Sequence, residues 1–335
     1  MHRIILSLLV LFFSSASVAS EELSQEAALK WLQRMSVALH SLNYEGVFVY
    51  QHGGQLTSMR LVHGLNKQGE HERLVSLSGT SREVIRSNGK VTCILPDSQS
   101  VVVERQNQSR QGFPYLLPKQ IEQISSIYRF ELGQQARVSG MLSQQILILP
   151  KDQYRYSYEL WIDIDSGMLV KAEIRDKQRI VEQFMFATLR FMPNFPQDLL
   201  KLNLNKGEFL SYNHQSTNTA VPSTIQATKW QVGFLPAGFR LLQHQYQFQS
   251  QPEMINPGRV TNNEPVYHLV YSDGLATISV FIEKLQQHQS AMAGASPLGA
   301  VNTYASMVGH TQITVMGEVP EQTVREIAVS VRYQP

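Results

Sequence analysis

Cysteine is almost absent from this chain: one residue, Cys93, in 335. No internal disulfide can form, so the fold must rest on its apolar cores. Cys93 stands within the apolar run Val91-Thr-Cys-Ile-Leu95, which points to a small side chain packed in a strand and away from a reactive thiolate. Long apolar runs are missing beyond the N-terminus, so no membrane-spanning helix is expected in the mature chain. An excess of one charge is missing as well. The 29 Lys and Arg against 27 Asp and Glu leave a net charge of +2, which excludes the basic footprint of a nucleic-acid binder. The motifs of common chemistries are absent too: there is no His-Glu-x-x-His, Cys-x-x-Cys, Gly-x-Ser-x-Gly elbow, Walker loop or dinucleotide fingerprint. No cofactor, metal site or enzymatic activity is therefore expected. Asp163-Ile-Asp165-Ser-Gly167 begins like a calcium loop, but its twelfth position is Ile174 where a bidentate Glu is required. It is read as a hairpin turn.

What is present starts with a basic Arg3, an apolar run from Ile4 to Phe13 and a small, polar stretch through Ala19. This is the pattern of a secretory signal peptide over residues 1–19, cleaved near Ala19, since the apolar run is about half the roughly 20 residues that a spanning helix needs. Without Arg3 the net charge falls to +1. The remaining length favours two domains over one. Residues 213–225 are polar and turn-rich without apolar periodicity and read as a flexible linker. They separate a first domain, 20–212, from a second, 226–335.

In the first domain Ser24 can cap a helix that aligns Ala28, Trp31, Leu32, Met35, Ala38, Leu39 and Leu42 on one face. From Tyr44 the period changes to two. Strands are expected at Val47–Gln51, Ser58–His63, His71–Leu77, Glu83–Ser87, Lys90–Leu95 and Ser100–Arg105, with Asn88-Gly89 as a two-residue hairpin turn. A short helix is expected over Pro118–Ile127, then strands around Arg137, Ile146, Trp161 and Val170, and a run from Val181 to Arg190. So many antiparallel strands cannot be covered by one helix, so the sheet should curve. The second domain offers strands near Trp230, Phe239–Phe248, Val266–Ser272, Leu275–Glu283 and Gln312–Val319. A helix opened by Pro320 should carry Val324, Ile327, Ala328 and Val331 on one face. Residues 287–297 read as a surface loop. The fold class is therefore mainly β with α+β character.

Several ordered segments sharpen this reading: Ser41-Leu-Asn-Tyr-Glu45, Arg82-Glu-Val-Ile-Arg86, Arg155-Tyr-Ser-Tyr158, Trp230-Gln-Val-Gly-Phe-Leu-Pro-Ala-Gly-Phe239, Val270-Tyr-Ser-Asp-Gly-Leu-Ala-Thr-Ile-Ser-Val280 and Gly317-Glu-Val-Pro320. From about Leu23 to Val331 the chain resembles the RseB/MucB family of periplasmic regulators. The resemblance implies an N-terminal unclosed antiparallel barrel with helices across its mouth, like the lipoprotein carriers LolA and LolB. It also implies binding to the periplasmic region of an RseA/MucA-like anti-sigma factor, protection of that factor from site-1 proteolysis, and release by lipopolysaccharide or a mislocalised lipoprotein. The rival reading is a lipid or lipoprotein carrier of the LolA type, which has no need of the second domain.

On that resemblance an unclosed barrel leaves an apolar cavity for acyl chains, with Trp31, Met35, Phe48, Tyr50, Tyr115, Phe130 and Trp161 as lining candidates. Taken singly, each suits an ordinary core better. The partner-binding candidates are Arg240, Tyr267, Tyr271, Trp230 and Phe239, because Tyr, Trp and Arg dominate binding energy at interfaces. Trp230 and Phe239 suit the small core better. Tyr271, beside the Ser-Asp-Gly turn, is expected at a rim. Nothing in the residues decides between a monomer and a homo-oligomer.

Overall fold

The computed structural model describes residues 23–67, 69–87, 89–98, 100–105, 121–195, 210–214, 229–248, 265–285 and 294–334. A helix, α1, covers 23–41. Its three- and four-residue spacing buries Ala28, Leu32, Met35 and Leu39 in one apolar cluster with the sheet that follows. Ser24, expected as the N-cap, lies within the helix and accepts a bond from the Leu132 amide at 3.2 Å.

The strands of the first domain are β1 (Tyr44–His52), β2 (Gln55–Asn66), β3 (Gly69–Ser76), β4 (Glu83–Ser87), β5 (Lys90–Leu95), β6 (Ser100–Arg105), β7 (Tyr128–Val138), β8 (Met141–Pro150), β9 (Ser157–Asp163), β10 (Leu169–Asp176), β11 (Arg179–Phe191) and β12 (Leu210–His214). Among the described residues they form one sheet in the order β12-β6-β5-β4-β3-β2-β1-β11-β10-β9-β8-β7, whose first and last strands do not pair. All neighbours are antiparallel except β12 and β6, which are parallel. The barrel is thus unclosed, as expected. Register shifts at Val47/Phe48, Leu132/Gln135, Leu169/Lys171 and Ile174/Arg175 mark bulges that bend the strands. The bending is strong enough that Ser139, at the tip of the β7–β8 hairpin, donates to the Phe186 carbonyl of β11, three strands along in the sheet order. Period-two alternation turns Tyr44, Phe48, Phe184 and Phe186 toward the cluster under α1, where the Phe48 and Phe184 rings lie 4.9 Å apart.

The second domain contains β13 (Trp230–Val232), β14 (Arg240–Phe248), β15 (Pro265–Ser272), β16 (Thr277–Lys284), β17 (Gly294–Leu298), β18 (Val301–Val308), β19 (Thr311–Gly317), α2 (Glu321–Ser330) and β20 (Val331–Tyr333). Six of its strands run in the order β14-β15-β16-β19-β18-β17, and β13 pairs with β20. Ile278, Val280, Ile282, Ile313 and Val315 line one sheet face, and Val324, Ile327 and Ala328 of α2 pack on it.

Local turn chemistry is where expected at Asp163-Ile-Asp165-Ser-Gly167. The Asp163 carboxylate accepts from the Ser166 amide at 2.8 Å and its hydroxyl at 2.6 Å, and Gly167 has φ 78°. Ser87 pairs with Lys90 across the β4–β5 hairpin; Asn88 lies outside the described residues. Other elements differ from expectation. Residues 121–124 are a 3-10 turn and no more of the short helix lies within the described residues. Residues 294–297, read as loop, belong to β17, an edge strand where Pro297 is tolerated because one side of its backbone needs no ladder bond. The strands β12, β18 and β20 were not anticipated, and Val331, expected on the face of the last helix, is extended and opens β20. Cys93 is half-buried in β5.

Candidate functional site

Among the described residues, a buried polar constellation lies where the two domains meet. The β8–β9 connection supplies it. There the Asp152 carboxylate accepts from the Tyr154 amide at 2.9 Å and pairs with Arg155, fixing the loop from within. The Arg155 side chain is fully buried and donates Nε to Asp273 Oδ2 at 2.6 Å, with its terminal nitrogens on Asp152 and on the Ala237 carbonyl. Its guanidinium also sits 5.0 Å from the Phe239 ring centroid and 5.9 Å from that of Tyr128. Burial by itself would lower the Arg155 pKa; the hydrogen bond and charge of Asp273, helped by Tyr128 and Asp152, carry it upward.

Asp273 is equally satisfied from the other side. Oδ1 accepts the amides of Leu275 and Ala276 at 2.9 and 2.8 Å, which forms the Ser-Asp-Gly turn, while Oδ2 takes Arg155 and the Tyr128 hydroxyl, the latter at 3.2 Å. One carboxylate thus shapes a turn in the second domain and anchors a cation from the first. Gly238, at φ +88°, lets the chain pass Ile127 closely, since a Cβ there would lie 2.9 Å from Ile127 Cδ1.

A second polar group lies alongside. The Asn302 side-chain amide donates to the Tyr156 hydroxyl at 2.7 Å and to the Val319 carbonyl at 2.8 Å, and the Thr323 hydroxyl donates to the Tyr154 carbonyl at 3.0 Å. Glu182 of β11 accepts from the Tyr50 hydroxyl at 2.7 Å, the Ala300 amide at 2.8 Å and His52 Nδ1 at 3.0 Å. Gly299, at φ +64°, has no room for a Cβ, which would fall 1.9 Å from His52 Nδ1. Burial, and then the charge of Glu182, lifts the carboxyl of Glu318 to about 7. The contact is also apolar: Leu275 and Ala300 of the second domain belong to the same cluster as Met35, Phe48, Ile127, Tyr128, Tyr156 and Tyr158 of the first.

The proposed site residues separate sharply. Met35, Phe48 and Phe130 join the packed cluster beneath α1, with Trp31 and Tyr50 partly buried against it. Tyr115 lies outside the described residues. Trp161 does not face that cluster. Leu160 and Ile162 do, so alternation turns Trp161 to the opposite side of β9, where its Nε1 donates to Glu159 at 3.0 Å. In the second domain Phe239 and Tyr271 are core residues, and Trp230 and Tyr267 pack partly buried against them. Tyr271, expected at a rim, is buried instead and pairs with Ile278, another residue of the second core. Arg240 alone of the five is exposed, at the start of the edge strand β14, beside Leu241 and Leu242 at 53% and 56% exposure. Arg155, Asp273, Glu182, Glu318 and Asn302 were not singled out from the sequence. Arg155, Asp273 and Glu318 belong to the segments Arg155-Tyr-Ser-Tyr158, Tyr271-Ser-Asp-Gly274 and Gly317-Glu-Val-Pro320, whereas Glu182 and Asn302 lie outside every segment that carried a signal.

Comparison with known proteins covers both domains. Residues 27–206 match the MucB/RseB N-terminal domain and residues 224–332 the MucB/RseB C-terminal domain. The chain is similar to the sigma-E factor regulatory protein RseB of Haemophilus influenzae, with 28% identity over 98% of this chain and 97% of that one. It is also similar to the sigma factor AlgU regulatory protein MucB of Pseudomonas aeruginosa, with 29% identity over 97% and 96%. Among solved structures, MucB in complex with MucA(peri) superposes with a TM-score of 0.67 at 26% identity, over 92% of this chain and 99% of that one.

Proposed function

The chain belongs to the MucB/RseB family, and from that premise we propose that it is a periplasmic negative regulator of a sigma-E type envelope stress response. It binds the periplasmic region of an RseA/MucA-like anti-sigma factor and shields it from site-1 proteolysis. The observation that carries this reading is the similarity along nearly the whole chain, in both domains, to RseB and MucB regulators. Binding and shielding need surface and no reacting group, in keeping with a site built of docking contacts.

The partner segment adds to the edge of β14, the first strand of its sheet among the described residues, where Arg240, Leu241 and Leu242 are exposed. Lipopolysaccharide or a lipoprotein acyl chain acts from the first domain, entering between α1 and the sheet where Leu32, Met35 and Phe48 pack. The same apolar cluster continues through Ile127, Tyr128 and Tyr158 to Leu275 and Ala300, so an acyl chain that displaces its packing strains the interdomain contact. The lipid must prefer the undocked arrangement, since equal affinity for both would shift nothing.

The test is cleavage of the anti-sigma periplasmic domain by its site-1 protease with and without the mature chain, then with added lipopolysaccharide. Slowed cleavage that lipid restores is expected. Cleavage at the same rate in the presence of the chain overturns the proposal.

A further inference from the structure

The end of α1 is fastened to the first-domain sheet through one buried imidazole. The Leu42 amide closes the last helical turn on the Ala38 carbonyl at 3.1 Å, and the Leu42 carbonyl meets Nδ1 of His63, in β2, at 2.8 Å. Nε2 of the same ring lies 2.9 Å from Oε1 of Glu70, in β3. The His63 side chain is fully buried, so these two acceptors set its protonation. A carbonyl accepts and never donates, so Nδ1 carries a proton. The Glu70 carboxyl is ionised, held down to about 2 by its hydrogen bonds from His40 and His63, so Nε2 carries a second one. A neutral ring held by the Leu42 carbonyl would aim its remaining lone pair at a carboxylate. The ring is therefore an imidazolium.

The groups that face His63 fit a cation. Tyr44 of β1 stacks on the ring with centroids 4.7 Å apart. The helix end itself favours positive charge. His40 of α1 reaches the same Glu70 oxygen through Nδ1 at 3.1 Å, a bond that a neutral ring donates equally well. Glu72, the cross-strand partner of His63, is spent on Arg86 of β4 at 2.9 Å. Asn43 completes the joint: its carbonyl accepts from the Met192 amide and its side chain from the Leu65 amide, both at 2.8 Å.

We propose that His63 is a proton-operated pin for the end of α1: with both ring nitrogens protonated it ties Leu42 to Glu70, and loss of one proton releases the joint. The proton passes to solvent and returns from it, so no other reactant is needed. The pin concerns the first domain alone and does not rest on lipid entry beneath α1 or on the anti-sigma reading. The closed joint binds a proton that the open joint gives up, so it tightens as pH falls and loosens as pH rises. An exposed imidazole titrates at about 6.5, and its protonated fraction falls from about three quarters at pH 6 to about 3% at pH 8. A joint that closes only on the protonated ring follows that fraction, a drop of roughly 25-fold.

The experiment uses the mature full-length chain. Hydrogen exchange at the Leu65 and Met192 amides, corrected for the intrinsic pH dependence of exchange, reads the joint because both amides donate to Asn43. Protection roughly 25-fold lower at pH 8 than at pH 6 is expected in the wild type and in His40→Gln. Glu70→Gln should show the same protection at both pH values, since its amide donates to a neutral Nε2 where the carboxylate needs a charged one. A wild type without the shift, a shift that survives Glu70→Gln, or one that vanishes in His40→Gln overturns the proposal. If Glu70→Gln does not fold, NMR of the wild-type imidazoles decides: a His63 ring with both nitrogens protonated at pH 7 supports it, and a ring that has lost its Nε2 proton by then overturns it.

Discussion

Replacing Asp273 by Asn is the sharpest perturbation of the interdomain contact, because it changes charge and almost nothing else. An Asn side-chain oxygen can keep the turn bonds to the Leu275 and Ala276 amides, now at 2.9 and 2.8 Å. The other position changes from an acceptor to an amide donor that faces Arg155 Nε, 2.6 Å away, and the Tyr128 hydroxyl at 3.2 Å. Both ionic side chains are fully buried, so Arg155 is left with Asp152 and the Ala237 carbonyl against its desolvation. Removing one partner of a buried ion pair costs about 3–5 kcal/mol, since the remaining charge stays desolvated. A cost of about 3 kcal/mol is roughly a hundredfold in the docking equilibrium. Equilibrium urea unfolding of the full chain measures the loss, with hydrogen exchange over 127–128, 154–158 and 299–302 locating it at the contact. Adding Arg155→Met to Asp273→Asn removes the stranded cation and should recover much of the stability, giving a coupling of about 1–3 kcal/mol. A loss below about 1 kcal/mol for Asp273→Asn, or strict additivity with Arg155→Met, would refute the reasoning.

Other substitutions separate packing from recognition. Arg240→Ala should weaken binding of the anti-sigma periplasmic domain by about 2 kcal/mol, roughly thirtyfold, with unchanged folding, whereas Tyr271→Ala should cost about 3–5 kcal/mol of folding stability because the ring belongs to the second core. Calorimetric titration and urea melts side by side check both; normal stability of Tyr271→Ala with lost binding would return that residue to the partner surface. Gly238→Ala should destabilise docking by about 1–3 kcal/mol through its φ of +88° and contact with Ile127, seen as lost exchange protection at the contact. Glu70 is held down to about 2 by hydrogen bonds from His40 and then His63, which tie the end of α1 and the strand β2 to β3. That stabilisation is complete above about 4.5 and fades as pH falls toward 2. Because the Glu70 side chain is 43% exposed, solvent screening limits the effect to about 1 kcal/mol, and Glu70→Gln should flatten the acid limb of a pH-dependent stability curve by that amount.

The strand architecture was legible because both sheets bury one face, so period-two alternation is written openly in segments such as Tyr44–His52 and Thr277–Lys284. The edge strand β17 was not, since Gly294-Ala-Ser-Pro-Leu has the composition of a loop and pairs on one side only. Alternation also has no means of naming the face that meets the cluster under α1, and Trp161 shows it: flanked by Leu160 and Ile162, it falls on the opposite face, although it is buried there too. The interdomain contact was legible only as resemblance. A buried arginine such as Arg155 looks like any surface charge until its partner, 118 residues away, is placed beside it. Arg240 was singled out for its residue type alone, while the adjoining exposed Leu241 and Leu242 were not singled out, and a bulge between Leu241 and Gln243 disturbs the alternation there.

Capture of an anti-sigma factor by this chain is expected to require docked domains. Isothermal titration of the anti-sigma periplasmic domain into the mature wild type and into Asp273→Asn tests it most directly. Saturable binding by the wild type, weakened in the variant although Asp273 lies within the contact and off the β14 edge, is the predicted result. No heat of binding and no complex on gel filtration at high micromolar concentration of the wild type would contradict the account.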